Sequence, residues 1–406
     1  MTFERPRPNS PDHVPPNLYW DHNLVEFTAE LDDPFVSGAR LHDGPDVIWA
    51  RDVGFGQPAW VLTRYAHQEE VYLDPRRFSS DRIMGLNDML GVSWRMNPIE
   101  FDPPMHGIYR QIMNPYFSPR AVNALDAEVR ATCDALIADF ESRGGCEYIG
   151  DFAIKFPSYI FLALMGMPRE MLPQFLAWDH TLWRTADVAV RTACARAILH
   201  YTERFVEEQR KTPSTDLMRG FFAARVGERP LSTEEILGMC YLLYTAGLDT
   251  VYSSLGWHMR HLAGDHRLQT RLRGHPEAIP RAVDELTRAF CVVSSMRKVT
   301  GDMDFHGVAL RKGDEVYLPT YLAARDPRAY PNPHVVDIDR HPKILAFATG
   351  PHTCLGMHFA RRELRIVLEA FLTRFKNIRI PDGERYKYHS GCVVGIDYLP
   401  LEWDYA

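Results

Sequence analysis

The residues best suited to chemistry in this chain surround Cys354. Residues 347 to 363 read FATGPHTCLGMHFARRE, so this cysteine lies between Gly350 and Gly356. A helical pattern of apolar residues follows it, made up of Phe359, Leu364, Val367, Leu368, Phe371 and Phe375. Unpaired N–H groups and the positive end of the helix dipole favour a thiolate at such a helix start. Because glycine has no side chain, a large flat group is expected to reach the sulfur.

A second reactive pair is predicted inside a long apolar helix. The segment Ala246-Gly247-Leu248-Asp249-Thr250 places a carboxylate where burial is costly unless the group is paired or functional. Gly247 weakens the helix, and the Thr250 hydroxyl can bond the carbonyl one turn back. The segment therefore predicts either a local groove with an acid and an alcohol beside it, or a simple kink with a satisfied aspartate.

Two charged pairs share a helix face through their spacing. His106 and Arg110 are four residues apart after Asp102-Pro103-Pro104, and prolines suit a helix start. Glu285 and Arg288 are three residues apart. Taken alone, such groups are more often solvated surface charges. His258 and His261 lack a third ligand, so we expect them to be surface or partly buried residues and not a second metal site.

Mostly helical elements must position these groups. The capping box Ser232-Thr-Glu-Glu235 starts an apolar helix that runs to about His261, roughly 45 Å at 1.5 Å per residue. Strands are expected at Trp60–Thr63, Asp304–Ala309 and Glu315–Pro319. The sequence predicts a mainly α protein, one domain over residues 1–406, with a small β-rich region and an extended proline-rich arm over residues 1–20.

Composition excludes several classes of protein. The 406 residues are 46% hydrophobic and 24% charged, which is typical of a globular chain, and the net charge of −7 argues against nucleic acid as a partner. No signal peptide opens the chain and no apolar run is long enough for a bilayer, so no membrane contact is expected. Seven scattered cysteines indicate a reducing compartment and a cytoplasmic location.

The cysteine segment resembles the Phe-x-x-Gly-x-x-x-Cys-x-Gly loop of the cytochrome P450 superfamily. Phe347, Gly350, Cys354 and Gly356 fall in register with it, and Ala348 departs from a common glycine. From about Asp81 onward the chain is similar to the camphor-hydroxylating branch of soluble bacterial members. The resemblance implies the P450 fold, with haem b between the central long helix and the cysteine loop.

The resemblance also implies roles for the residues above. Cys354 would ligate the iron, with Phe347 and Gly350 beside the cofactor, and the haem propionates would contact a set of cationic residues, namely His106, Arg110, Arg297 and His352. Asp249 and Thr250 would deliver protons, and Arg184 would hold Asp249, while the position of a second such cation falls near Leu176. Glu285 and Arg288 would brace the thiolate side of the haem.

The implied activity is insertion of one oxygen atom from O2 into a C–H bond. The chain carries no flavin, nicotinamide or iron–sulfur fingerprint, so two electrons must come from NAD(P)H through a separate reductase and ferredoxin. We expect the ferredoxin to dock near Arg110, Arg361 and Arg362. Two alternatives remain: a haem-thiolate enzyme that uses peroxide or rearranges its substrate, and a haem-binding sensor without turnover.

Alignment with the camphor branch also suggests the substrate pocket. Trp94 occupies the position of a tyrosine that hydrogen-bonds the camphor ketone, and the aligned lining is mostly apolar, formed by Leu242, Thr245, Val293, Cys392 and Val393. Trp offers one N–H donor and a larger ring than Tyr. The expected substrate is a compact apolar terpenoid or norisoprenoid of roughly ten to thirteen carbons.

Overall fold

The computed structural model describes residues 11–406. Within that range it contains sixteen α-helices: α1 (Leu24–Ala29), α2 (Tyr65–Leu73), α3 (Leu86–Leu90), α4 (Met105–Phe117), α5 (Pro119–Ala124), α6 (Asp126–Ala138), α7 (Lys155–Met165), α8 (Leu172–Arg184), α9 (Val188–Lys211), α10 (Asp216–Ala223), α11 (Thr233–Gly247), α12 (Asp249–Gly264), α13 (His266–Gly274), α14 (Ile279–Ala289), α15 (Thr320–Ala323) and α16 (Met357–Arg374).

Strands form a smaller part of the molecule. Fifteen occur in the described range: β1 (Tyr19–Asn23), β2 (Val47–Asp52), β3 (Ala59–Leu62), β4 (Phe78–Ser79), β5 (Gly145–Glu147), β6 (Arg225–Val226), β7 (Arg229–Pro230), β8 (Ser294–Val299), β9 (Met303–Phe305), β10 (Val308–Leu310), β11 (Glu315–Pro319), β12 (Phe375–Arg379), β13 (Lys387–His389), β14 (Gly395–Tyr398) and β15 (Pro400–Tyr405). The main sheet has the order β1-β2-β3-β11-β8-β4.

Two apolar clusters support these elements. The larger one fills the space between the helices, and the smaller one lies under the main sheet, where Trp60, Leu62 and Val316 are fully buried. The predicted mainly α fold with a lesser β region is confirmed. That residues 1–406 form one domain stays a prediction.

The central helix begins as predicted but is not continuous. The capping box is present, because the Ser232 hydroxyl accepts from the Glu235 N–H at 3.1 Å and the Glu235 carboxylate accepts from the Ser232 N–H at 2.7 Å. The helix is interrupted at Leu248, so that α11 ends at Gly247 and α12 begins at Asp249. The expected single helix of about thirty residues is therefore two helices, with the predicted weak point between them.

Other boundaries follow tertiary pairing. Asp304–Ala309 was expected to be one strand, but His306 and Gly307 have φ of 51° and 82° and turn the chain into a hairpin of β9 and β10. Phe375 was assigned to the helical pattern after Cys354, yet it is the first residue of β12, paired with β15. In both cases strand pairing decides the local structure.

The amino-terminal arm lies partly outside the described residues, which begin at position 11. Tyr19 and Trp20, included in the arm by its predicted limit of residue 20, belong to β1 and are buried against β2. Among the described residues, no helix is both long enough and apolar enough to cross a membrane.

Candidate functional site

Cys354 lies in the loop that leads into α16, two residues before the helix cap at Gly356. A short turn, Gly350–His352, precedes it, and the Cys354 N–H donates to the Phe347 carbonyl at 2.8 Å. The Phe347 ring lies 4.9 Å from the Arg361 guanidinium carbon. The backbone therefore fixes the direction of the cysteine before the helix begins.

The small residues near Cys354, Gly350 and Gly356, are required for different steric reasons. A side chain on Gly356 would lie 3.9 Å from the Cys354 sulfur, so its absence leaves room beside Sγ. Gly350 has φ of +70°, and a Cβ there would come within 2.8 Å of the Tyr72 carbonyl oxygen. Close contact with α2 is therefore a reason for glycine at position 350, in addition to the expected approach of a flat group. Ala348, which departs from the common glycine, also has a positive φ of 53°.

Cys354 is exposed, although enough protein surrounds it for burial to raise the pKa of its thiol. The N–H groups of Gly356 and Met357 and the nearby Arg110 act in the opposite direction. The helix start alone therefore does not favour the thiolate at Cys354, because burial has the larger effect. Iron coordination would supply the missing stabilisation.

The central helix is buried except near its break. Residues Ile236 to Thr245 of α11 are all buried, yet Ala246, one residue further, is exposed. Ala246 is therefore a point at which other residues leave the buried central helix uncovered. The α12 half of the helix packs against α16, the helix that follows Cys354.

Four cationic or titratable side chains converge near the cysteine loop. His106 and His352 have ring centres 4.1 Å apart, and Arg110 donates to the Thr353 carbonyl at 2.7 Å. Burial and the neighbouring Arg297 and Arg110 lower the pKa of His352 to about 2 and that of His106 to about 4. Both imidazoles are therefore neutral hydrogen-bonding groups beside two guanidinium groups.

These guanidinium groups lack acidic partners. Among residues 11–406, no carboxylate forms a salt bridge with Arg110 or with Arg297, which is only 4% exposed. Burial lowers the pKa of both. A cation removed from water without a partner is costly, so a negatively charged ligand is favoured beside it. The chemistry of this donor set therefore fits a ligand such as haem, which has two carboxylates and a metal ion that a thiolate can coordinate.

Asp249 lies at the break between α11 and α12 and is 3% exposed. It accepts a hydrogen bond from Ser253 at 2.9 Å, and Arg184 lies 3.8 Å from it. Arg184 makes closer contacts elsewhere, to Asp397 at 2.9 Å and to the Tyr252 hydroxyl at 2.8 Å. The sequence placed Arg184 beside Asp249 but did not indicate these competing partners.

Sequence reasoning missed a second buried acid. Asp179 on α8 is 2% exposed, and its Oδ1 atom has no hydrogen-bond partner. Burial and the nearby Asp249 carboxylate raise the pKa of Asp179 well above its usual value, while Arg184 acts against this. Nothing in the spacing could have shown that the two acids are neighbours, because they lie on different helices.

The break between α11 and α12 also has a packing cause, at Gly247. A Cβ on Gly247 would come within 2.6 Å of the Phe161 ring of α7, so only glycine fits there. The Thr250 hydroxyl bonds the Ala246 carbonyl at 3.2 Å, the backbone contact expected from the sequence. The alcohol therefore lies next to the exposed Ala246, while the Asp249 carboxylate, from the preceding residue, contacts Ser253 and Arg184.

Glu285 and Arg288 are a buried brace and not a surface pair. Both side chains have no exposed area, and two nitrogens of Arg288 contact the two carboxylate oxygens at 2.6 and 3.1 Å. Arg288 also donates to the carbonyls of Ala324 and Pro333. Arg340, which the sequence did not single out, contacts Glu285 at 3.1 Å. This cluster ties α14 to the segment before the cysteine loop.

The predicted substrate residues fall into two groups. Trp94 is partly buried with its ring 5.9 Å from Tyr241 on α11, the helix that also carries Leu242 and Thr245. Val293 and Val393 form an isolated β-bridge, and the adjoining Cys392 carbonyl accepts from Ser294 at 2.9 Å. The structure thus brings together residues about 100 positions apart.

Three other residues singled out from the sequence have surroundings that it did not indicate. Arg361 and Arg362, expected with Arg110 to dock a ferredoxin, each contact an acid, Asp284 at 2.7 Å and Asp126 at 2.6 Å respectively. His258 is buried in the core, not at the surface, and burial lowers its pKa to about 3. Among the described residues, no group of three or more His, Cys, Asp or Glu could hold a metal ion.

The protein combines a helical body, a cysteine loop before a long helix, a broken helix with an acid–alcohol pair and, within residues 11–406, cations without acidic partners. This combination is the one expected of a haem-thiolate protein. The family model described as cytochrome P450 matches residues 153–393, more than half of the chain, and this chain belongs to that family of monooxygenases.

Known relatives agree over nearly the whole length. The chain is 35% identical over 401 residues to a probable cytochrome P450 127A1 of Sinorhizobium fredii, covering 97% of this chain and 96% of that protein. The crystal structure of cytochrome P450 CYP101C1 matches with a TM-score of 0.86 at 30% identity, covering 97% of this chain and 100% of the other. CYP101J2 matches with a TM-score of 0.84 at 29% identity, covering 98% and 100%.

Proposed function

We propose that this P450 monooxygenase hydroxylates a small apolar terpenoid or norisoprenoid, using O2 and two electrons delivered by a ferredoxin. One oxygen atom enters the C–H bond, and the other leaves as water with two protons and both electrons. The observation that supports this most strongly is the acid–alcohol pair at the break of the central helix, because a reaction that releases water needs a controlled supply of protons.

Haem b is the cofactor that the family implies, and the donor set fits it. Cys354 would coordinate the iron, with the Phe347 and Gly350 segment fixing the loop, while Arg110, Arg297, His106 and His352 would hold the propionates. When bound, haem supplies a redox-active iron whose thiolate ligand favours cleavage of the O–O bond.

Asp249 and Thr250 are proposed to move protons toward the exposed Ala246. Asp249 lies beside Arg184, which also contacts the half-exposed Asp397, so a chain of polar groups leads from the surface to the helix break. The Thr250 hydroxyl is held by the Ala246 carbonyl and can pass a proton on without leaving its position.

The substrate is proposed to lie among Trp94, Leu242, Thr245, Val293, Cys392 and Val393. Burial of an apolar body here would supply most of the affinity, at about 25 cal/mol per Å². The Thr245 hydroxyl bonds the Tyr241 and Leu242 carbonyls of its own helix at 3.1 Å, so it offers little polarity to a ligand.

We place the enzyme in the cytoplasm, supported by its seven free cysteines.

The ferredoxin is proposed to approach the side of the protein that carries Arg110. Arg361 and Arg362 can take part only by exchanging their present acidic partners, Asp284 and Asp126, for those of the ferredoxin.

The test uses the haem-loaded protein with a ferredoxin, a reductase and NADH. The reduced carbonyl complex is expected to show the red-shifted Soret band of thiolate-ligated haem, and Cys354→His should lose it. Thr250→Ala should still consume NADH but release hydrogen peroxide in place of product. Thr202→Ala is the matched control, because the Thr202 hydroxyl also bonds a carbonyl one turn back, at 2.8 Å, on α9.

The product formed per NADH separates the candidate functions. Unchanged coupling in Thr250→Ala would remove this residue from proton delivery. Turnover with peroxide alone, and none with O2 and ferredoxin, would favour a peroxide-using enzyme. No conversion of any ligand that shifts the haem spin state would favour a sensor.

A further inference from the structure

Arg191, in the first turns of α9, is a buried cation that the reaction above does not use. It is 8% exposed, and within residues 11–406 no carboxylate lies at salt-bridge distance from it. Its Nε atom donates to the Leu182 carbonyl at 3.1 Å, and its guanidinium carbon lies 3.5 Å from the centre of the Phe55 ring. Protein contacts thus use one N–H donor and one face of the guanidinium group.

The remaining donors of Arg191 have no protein partner in the described range. A guanidinium group has five N–H donors, and four of them, on Nη1 and Nη2, form no hydrogen bond there. These two nitrogens are not fully buried either, since buried side-chain nitrogens without a partner occur elsewhere in the protein but not at Arg191. They therefore face a space that a ligand or solvent can enter.

Arg191 has a neighbour in common with the proposed substrate pocket. Cys392, one of the predicted lining residues, is half-buried and lies within electrostatic range of both Arg191 and Asp249. Burial raises the pKa of the Cys392 thiol; Arg191 acts against this shift and Asp249 adds to it. Arg191 and the proton-relay residue therefore lie near the same stretch of chain.

Exposed apolar side chains occur near Arg191, one in contact with its guanidinium group and two close to it in the chain. Phe55 is 40% exposed, and Val188 and Val190, from the first turn of the same helix, are 65% and 47% exposed. An unpaired cation with exposed apolar side chains nearby suits a ligand with an apolar body and a single negative charge.

We propose that Arg191 is a specificity-determining residue, which binds the carboxylate of a terpenoid-sized acid and directs its apolar body past Cys392 toward Thr250. A carboxylate matches the two free nitrogens of the guanidinium group through a bidentate contact. This inference rests on the proposed function for the position of the reacting carbon, but the binding of the acid itself can be measured without turnover.

The test compares three ligands of one carbon skeleton on the haem-loaded enzyme: perillate, its methyl ester and limonene. Isothermal calorimetry gives each Kd independently of the haem spectrum. We expect perillate to bind about 10- to 100-fold more tightly than the ester, since hydrogen bonds to charged groups are stronger than neutral ones. Equal affinity of wild type for perillate and the ester overturns the proposal.

Variants assign the effect to Arg191. Arg191→Met keeps an apolar stem over Phe55 and should abolish the preference for the acid, while Arg191→Lys should retain part of it. Arg196→Met, which removes an exposed arginine from the same helix, is the control and should bind like wild type. An unchanged preference in Arg191→Met, with or without a loss of thermal stability, would show that this residue only caps α8.

The outcome is independent of the proposed chemistry. A carbonyl spectrum without thiolate character would contradict the proposed function, yet perillate and its ester could still be compared by calorimetry. Conversely, a normal thiolate spectrum with no preference for the acid would contradict only the role of Arg191.

Discussion

Glu363 provides a quantitative test of how well the interior around α16 is shielded from water. Its side chain is buried at 4% exposure, and no cation within residues 11–406 forms a salt bridge with it. Burial alone raises the pKa of this carboxyl from 4.5 to about 8. The group is therefore protonated in the folded protein at neutral pH, whereas it is ionised in the unfolded chain.

The sign of the pH dependence follows from proton binding. Between pH 4.5 and pH 8 the folded state holds one more proton at Glu363 than the unfolded state, so this group lowers the free energy of unfolding as the pH rises. Each pH unit in that window corresponds to about 1.4 kcal/mol, which gives roughly 3 to 4 kcal/mol between pH 5 and pH 8.

Glu363→Gln keeps the size of the side chain and removes the titration. Relative to wild type, the variant is expected to gain about 3 kcal/mol more stability at pH 8 than at pH 5. The assay is urea unfolding at both pH values, followed by tryptophan fluorescence. Glu207→Gln, an exposed glutamate on α9, is the control and should show no such difference. The same stability change at both pH values for Glu363→Gln would mean that the carboxyl is ionised in the fold, and the reasoning would be wrong.

Three further predictions concern packing and buried charge. Gly247→Ala should lower the free energy of unfolding by about 1–3 kcal/mol, because the new methyl group meets the Phe161 ring, and a differential thermal melt against wild type measures this. Arg288→Met should cost about 3–5 kcal/mol by leaving Glu285 with only part of its charge compensation, and Arg288→Met with Glu285→Gln should recover part of that loss in the same melt. The raised pKa of Asp179 makes the folded state bind one more proton than the unfolded state, so this group lowers stability as the pH rises above 4. Asp179→Asn should therefore raise stability at neutral pH and weaken that fall. Thermal melts over a range of pH that show no difference between variant and wild type would contradict this.

The sequence was sufficient where function depends on neighbours along the chain. The loop around Cys354, the shared face of His106 and Arg110, and the capping box at Ser232 are set by the backbone and by helical periodicity. The break after Gly247 also follows locally, from a glycine and a threonine that both weaken the helix. The family resemblance carried by the cysteine loop then gave the fold.

Only the tertiary structure decided which charges are buried and which partners they have. Asp179 and Asp249 are 70 positions apart, and Glu285 and Arg340 are 55 apart, so no spacing rule connects them. Arg191 lies in an amphipathic helix and is indistinguishable, in sequence, from a surface cation. The physical reason is that helical spacing fixes which side chains share a face, whereas desolvation and charge pairing depend on the segments that pack against that face from elsewhere in the chain.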